Sequence, residues 1–193
     1  NSWHLDNGGE EDPWYMIGYN YVISDSYNNA TASIPKVFEG RPPEYKGAHA
    51  GGFKKLSAEE KLYYKDKTIS CGNPTVGFIT QPVLDQLNAN GEISGNLASF
   101  GVAVIGDYSS KQYRWNGVAY VPKNINGSDK PRDPSKAMID SLATLACQIQ
   151  RENPRTTKIV PHNYFNKTAC PGTVINFLND VKDKANSIAG CHF

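Results

Sequence analysis

The chain has 193 residues, of which 39% are apolar, 20% charged and 11% aromatic, enough for one core and too apolar for wholesale disorder. Its 20 Lys+Arg and 19 Asp+Glu leave a net charge of +1. That balance leaves no electrostatic footprint for nucleic acid or an anionic membrane, and no apolar run approaches the ~20 residues of a membrane helix.

Residues 1–13 are polar and glycine-rich, and the chain opens at Asn1 with neither Met nor signal peptide, as a processed or trimmed chain would. WYMIGYNYVI (14–23), rich in aromatic and β-branched residues, predicts a buried strand, and SDSYNNATAS (24–33) a turn cluster. KVFEGRPPEY (36–45) begins as a strand and ends at Pro42-Pro43, which cannot donate to a ladder. GAHAGG (47–52) is a glycine-rich loop. The irregular region at about 53–95 reads as an insertion on one domain spanning 1–193. Within it, LSAEEKLYYKDK (56–67) predicts a short helix capped by Ser57, and TQPVLDQLNANG (80–91) a second.

SFGVAVIGDY (99–108) is almost continuously apolar, which predicts a central strand buried on both faces. Residues 109–132 are polar, with a hairpin expected around Asn116-Gly117. DPSKAMIDSLATLACQIQREN (133–153) predicts a helix capped by Asp133, with Pro134 in its first turn. Met138, Leu142, Leu145 and Ile149, at steps of 4, 3 and 4, form its apolar stripe. TKIVPHNYF (157–165) predicts a short strand entering a loop. TVINFLNDVKDKANSI (173–188) predicts a second amphipathic helix with Val174, Phe177, Leu178, Val181 and Ala185 inward. Strands interleaved with helices indicate an α/β (α+β) chain with a mixed sheet.

Cys71, Cys147, Cys170 and Cys191 are too few for a disulfide scaffold and contain no CxxC pair. With sequons at Asn29, Asn126 and Asn166, the even cysteine count suggests a secreted, disulfide-containing protein. The sharpest chemical signal is PHNYFNKTACPG (161–172), where His162 and Cys170 stand eight residues apart on a loop before the last helix. Imidazole and thiolate are good zinc donors, and a helix N-terminus favours a thiolate. A surface His beside a disulfide cysteine is the plainer alternative.

This segment resembles the second zinc-binding segment of the zinc-dependent N-acetylmuramoyl-L-alanine amidases, which share a fold with the peptidoglycan recognition proteins. Three more stretches match in order: IGYNYVI (17–23) resembles the strand carrying an active-site Tyr, VFEGRPPEYKGAHAGG (37–52) the strand, Arg and Gly-His loop, and NLASFGVAVIGDY (96–108) the buried central strand. The likeness covers roughly 14–52 and 96–188. It implies a central mixed sheet with helices on both sides and a groove over one face.

The resemblance also assigns roles. His162 and Cys170 match two of three zinc ligands, Tyr19 the active-site Tyr, and Thr168 a polar position beside the metal. Asn20, Arg41 and His49 are expected to meet substrate, although Arg41 serves equally well as an ion-pair partner. The family takes its third ligand from the first strand, before an intervening helix. Here the upstream candidate is His4, only 15 residues before Tyr19, about half the family's interval. Either His4 is that ligand, or SWHL matches a segment after that helix and the ligand strand is not in this chain. His192 lies in the tail beside Cys191.

The implied activity is zinc-dependent hydrolysis of the amide between N-acetylmuramic acid and L-Ala, by a secreted, antibacterial, cell-wall-degrading monomer whose partner is peptidoglycan. A peptidoglycan-binding module without turnover is the alternative, since some family members lack ligands, and an unrelated α/β protein with Cys170 in a disulfide is the third reading. Pro42-Pro43 replace the Gly-Trp pair that follows the Arg in diaminopimelate-preferring members, so the stem-peptide preference stays open.

Overall fold

The computed structural model describes residues 19–24, 35–41, 49–50, 53–62, 89–106, 108, 113–115, 120–122, 124, 131–154, 156–165 and 167–193. Its strands are β1 (Tyr21–Ser24), β2 (Lys36–Glu39), β3 (Phe53–Lys55), β4 (Glu92–Ser94), β5 (Val102–Ile105), β6 (Tyr113–Trp115) and β7 (Tyr120–Pro122), and its longer helices are α1 (Lys136–Glu152) and α2 (Leu178–Asn186). His4, Cys71, the three sequon asparagines, Pro42-Pro43 and Asn116-Gly117 lie outside the described residues.

β1 runs antiparallel to β2, with Tyr21 opposite Glu39, and parallel to β5, with Tyr21 opposite Val102. The sheet is therefore mixed, as expected, with order β2–β1–β5. Among the described strands, β1 is the central one and β5 lies at an edge, which corrects the reading of the 99–108 run. Ile23 is fully buried, whereas Ile105 at the end of β5 is 55% exposed. Side chains alternate across a strand, so Val102 and Val104 meet the core while Ile105 faces away from it. An apolar run records what a strand offers for burial, not what covers its second face.

Met138, Leu145 and Ile149 of α1 pack on Tyr21 and Ile23, with Leu142 half-buried at their edge. Burying such side chains contributes roughly 1.5–3 kcal/mol each. The helix cap is Ser135, not Asp133: Ser135 is extended, and its hydroxyl accepts from the Met138 N–H at 3.1 Å. Asp133 stands two residues too early for that bond. The other face of α1 meets α2, where Ala143, Val181 and Ala185 form a small cluster with Ile139 and Ile159. The described layers thus run sheet, α1, α2, with both helices on one side of the sheet. No described helix is long and apolar enough to cross a membrane.

The predicted helix over 173–188 begins later than its apolar pattern. Gly172–Phe177 is a 3₁₀ segment, and α2 follows it. The Thr173 N–H is held by the Tyr108 carbonyl at 2.8 Å, which ties this segment to the chain just beyond β5. The expected strand in 157–165 is absent. That stretch is irregular and enters a 3₁₀ turn at His162–Tyr164. The expected hairpin does form, with Trp115 opposite Tyr120, so four residues span its turn. A disulfide joins Cys147 of α1 to Cys191, and Gln150 holds the same tail by accepting from the His192 N–H at 2.7 Å.

The described residues of the 53–95 region contribute to a second small core. β3 pairs antiparallel with β4, and a helical turn follows at 58–62. The expected Ser57 cap is a reciprocal capping box: the Ser57 hydroxyl accepts from the Glu60 N–H at 3.2 Å, and Glu60 Oε2 accepts from the Ser57 N–H at 2.9 Å. Leu56 and Ile93 then pack with Ala50 and with Phe165, which belongs to the His162–Cys170 loop. A Cβ on Gly95 would lie 2.7 Å from both Phe165 and Ala50, so only glycine admits that ring here.

Candidate active site

Tyr19 stands two residues before the first residue of β1. Its carbonyl accepts from the Arg41 N–H at 2.8 Å, so the end of β2 fixes its backbone. The ring lies 6.0 Å from the His49 ring, tilted by 35°. Burial raises the Tyr19 pKa above 10, and the nearby Cys170 sulfur, when ionised, raises it further. Tyr19 therefore keeps its proton at neutral pH and remains a hydrogen-bond donor. That coupling also brings Tyr19 and Cys170, 151 positions apart in sequence, into one neighbourhood.

His162 opens the 3₁₀ turn. Its Nε2 is buried and has no hydrogen-bond partner. Burial lowers its pKa below 6.5, so the imidazole is neutral at pH 7 and retains a lone pair. A buried nitrogen without a partner is costly unless something else ligates it. Cys170 is exposed, and the Cys147–Cys191 disulfide leaves neither of those cysteines to bridge it. The segment after Cys170 starts as 3₁₀ turns rather than the expected α-helix. Thr168 Oγ1 accepts from the Cys170 N–H at 3.2 Å and thereby orients the turn that carries Cys170. His162 and Cys170 fit a metal as a nitrogen and sulfur donor pair. No group of three His, Cys, Asp or Glu donors occurs among the described residues, and His4 lies outside them.

Two residues expected to meet substrate are buried instead. Asn20 is 2% exposed, with Nδ2 donating to the Arg41 carbonyl at 3.0 Å and Oδ1 accepting from the Gly101 N–H at 2.9 Å. It stitches the ends of β1, β2 and β5 together. His49 is 7% exposed, with Nε2 3.1 Å from Ser99 Oγ. Its ring lies against Gly101, where an added Cβ would come within 2.2 Å of it. His49 is thus a buried neighbour of Tyr19. Arg41 is half-buried at the end of β2. His192 is tied through its backbone to Gln150 on α1.

Sequence reasoning missed Glu60 and Tyr164. The Tyr164 hydroxyl donates to Glu60 Oε1 at 2.9 Å, and Lys54 Nζ lies 2.5 Å from the same oxygen and 3.4 Å from the Tyr164 ring centre. Together these bonds bring the Glu60 pKa down to about 2, with the Lys54 hydrogen bond as the largest cause. This clamp fastens β3 and the helical turn at 58–62 to the His162–Cys170 loop. The Ser57-x-x-Glu60 pattern could have signalled the cap, but nothing local signals a partner 104 residues away.

The sequence model of the N-acetylmuramoyl-L-alanine amidase family matches residues 2–173. No curated protein and no solved structure gives a match. With most of its length matched, the chain belongs to the N-acetylmuramoyl-L-alanine amidase family, whose substrate is peptidoglycan.

Proposed function

We propose that this family member is an active hydrolase that cleaves the amide between the lactyl group of N-acetylmuramic acid and L-Ala. The observation that carries this reading is the buried Nε2 of His162, which makes no hydrogen bond, on the same loop as the exposed Cys170. A binding module without turnover has no need for both. His162 and Cys170 would hold zinc, with His4 as the candidate third ligand. Zinc bound there would supply a water activated near neutral pH.

The remaining steps fall to the chain. The protonated Tyr19 hydroxyl donates to the amide oxygen as negative charge develops on it. His49 and the Arg41 backbone keep Tyr19 in place, and Thr168 orients the Cys170 turn. Arg41 is the candidate contact for a substrate carboxylate. The Cys147–Cys191 disulfide supports an oxidising, extracellular setting, consistent with a secreted, antibacterial role.

Elemental analysis tests this reading. Purified protein should carry one zinc per chain and release free stem peptide from peptidoglycan, and chelation should abolish both. Protein that binds peptidoglycan but neither holds zinc nor releases peptide is the non-catalytic binder. Full activity without metal would overturn the mechanism.

A further inference from the structure

The chain between β4 and β5 grips His49 through contacts that the proposed mechanism does not use. We propose that Ser99 is a positioning residue: its hydroxyl fixes the His49 imidazole as the tautomer protonated at Nε2, and so sets the ring against which Tyr19 rests. The inference rests on the amidase reading for its effect on rate, whereas the tautomer can be read without any activity.

The count of hydrogens is the first argument. A serine hydroxyl carries one hydrogen. Ser99 Oγ stands 2.6 Å from the Gly95 carbonyl oxygen and 3.1 Å from His49 Nε2. A carbonyl only accepts, so the bond to Gly95 takes the Ser99 hydrogen. Oγ then turns only lone pairs toward Nε2, and the bond between them requires the hydrogen to sit on Nε2. The opposite tautomer would set two lone pairs against each other beside a buried ring, where water does not easily relieve them. Nε2 is thereby committed to Ser99 and is not available as a base or a metal donor.

The construction of the grip is the second. Gly95–Ala98 forms a helical turn, and Ser99 follows it in extended backbone, with φ −147° and ψ 154°. Asn96 of that turn accepts from the Ala50 N–H at 2.7 Å, which fixes the backbone directly after His49. Gly101 lies against the opposite edge of the ring, where an added Cβ would fall 2.2 Å from Cγ and 2.6 Å from Nδ1. A half-turn of the imidazole would replace Nε2 by a carbon and lose the Ser99 bond.

The neighbour is the third. The Tyr19 and His49 ring centres are 6.0 Å apart, within the range at which aromatic rings interact. The Arg41 N–H fixes the Tyr19 backbone, but the hydroxyl lies at the far end of the ring, and the packing beside that ring sets where it points. A misplacement of about 1 Å at a reacting group can cost on the order of 100-fold in rate. Ser99 thus acts on Tyr19 through His49.

The test uses zinc-loaded protein carrying isotope-labelled histidine, read by nitrogen NMR, with a soluble muropeptide supplying the rate. Ser99→Ala removes the hydroxyl. Ser99→Thr keeps it, and extended backbone suits a β-branched residue. Wild type and Ser99→Thr should hold His49 as a single Nε2–H tautomer with similar kcat. Ser99→Ala should show both tautomers and lose about 10-fold in kcat with little change in KM, the weight of one hydrogen bond; its melting temperature checks that it is folded. Wild-type His49 protonated at Nδ1 overturns the proposal. So does Ser99→Ala with the wild-type tautomer and rate, or Ser99→Thr losing as much as Ser99→Ala. If wild type cleaves no muropeptide, the amidase reading fails, and a single Nε2–H tautomer scrambled by Ser99→Ala still upholds the hold of Ser99 on His49.

Discussion

Replacing Asn20 with Ala separates a structural role from a substrate contact. Asn20 is 2% exposed and bonds two backbone groups, the Arg41 carbonyl at 3.0 Å and the Gly101 N–H at 2.9 Å. Truncation leaves both without that partner in a place water does not easily reach. A buried group stripped of its partner costs about 1–3 kcal/mol, so the pair should cost roughly 2–6 kcal/mol. That is a large share of a typical total stability of ~5–15 kcal/mol. Asn20→Asp keeps the acceptor for Gly101 but sets a carboxylate against the Arg41 carbonyl, so it too should destabilise. Urea unfolding, read at constant m-value, supplies the number. A loss below about 0.5 kcal/mol together with a 10-fold rise in KM would refute the reasoning and return Asn20 to the substrate-binding surface.

Tyr19→Phe should lower kcat by roughly 100-fold while leaving stability nearly unchanged; an unaltered rate would make Tyr19 a packing residue only. Replacing Cys147 and Cys191 with Ser should cost about 4 kcal/mol by the chain-entropy relation for a 44-residue separation, measured by denaturation under oxidising conditions. The Glu60 carboxyl should titrate near 2 by NMR. Because its folded pKa lies below its ordinary 4.5, the stability it contributes is present above pH 4.5 and lost as pH falls toward 2. Glu60→Gln should remove that portion of the acid dependence, and an unchanged acid limb would show that the clamp does not form in solution.

Elements whose stabilising contacts are local, or repeat at a helical period, were legible from the residues alone. The stripe of α1, the Ser57 cap, the β6–β7 hairpin and the His162–Thr168–Cys170 loop all carry their signal within a short stretch of chain. So does the family resemblance, which rests on short motifs in a recognisable order. What the residues left open depended on partners distant in sequence. The run at 99–108 offers apolar side chains on both faces, but strand pairing decides that, among the described strands, β1 is central and β5 lies at an edge. Asn20 and His49 look like groove residues because they flank motif positions. Only the packing of Gly101 against both, 81 residues from Asn20, turns them inward. The 53–95 region read as irregular because its described strands, β3 and β4, are three residues long, too short for a period to show. Its attachment to the His162–Cys170 loop comes from Phe165 entering its core and from Glu60 meeting Tyr164. Hydrophobic period and capping chemistry are properties of neighbours in the chain, whereas burial, hydrogen-bond partners and pKa shifts belong to neighbours in space, which only the folded chain brings together.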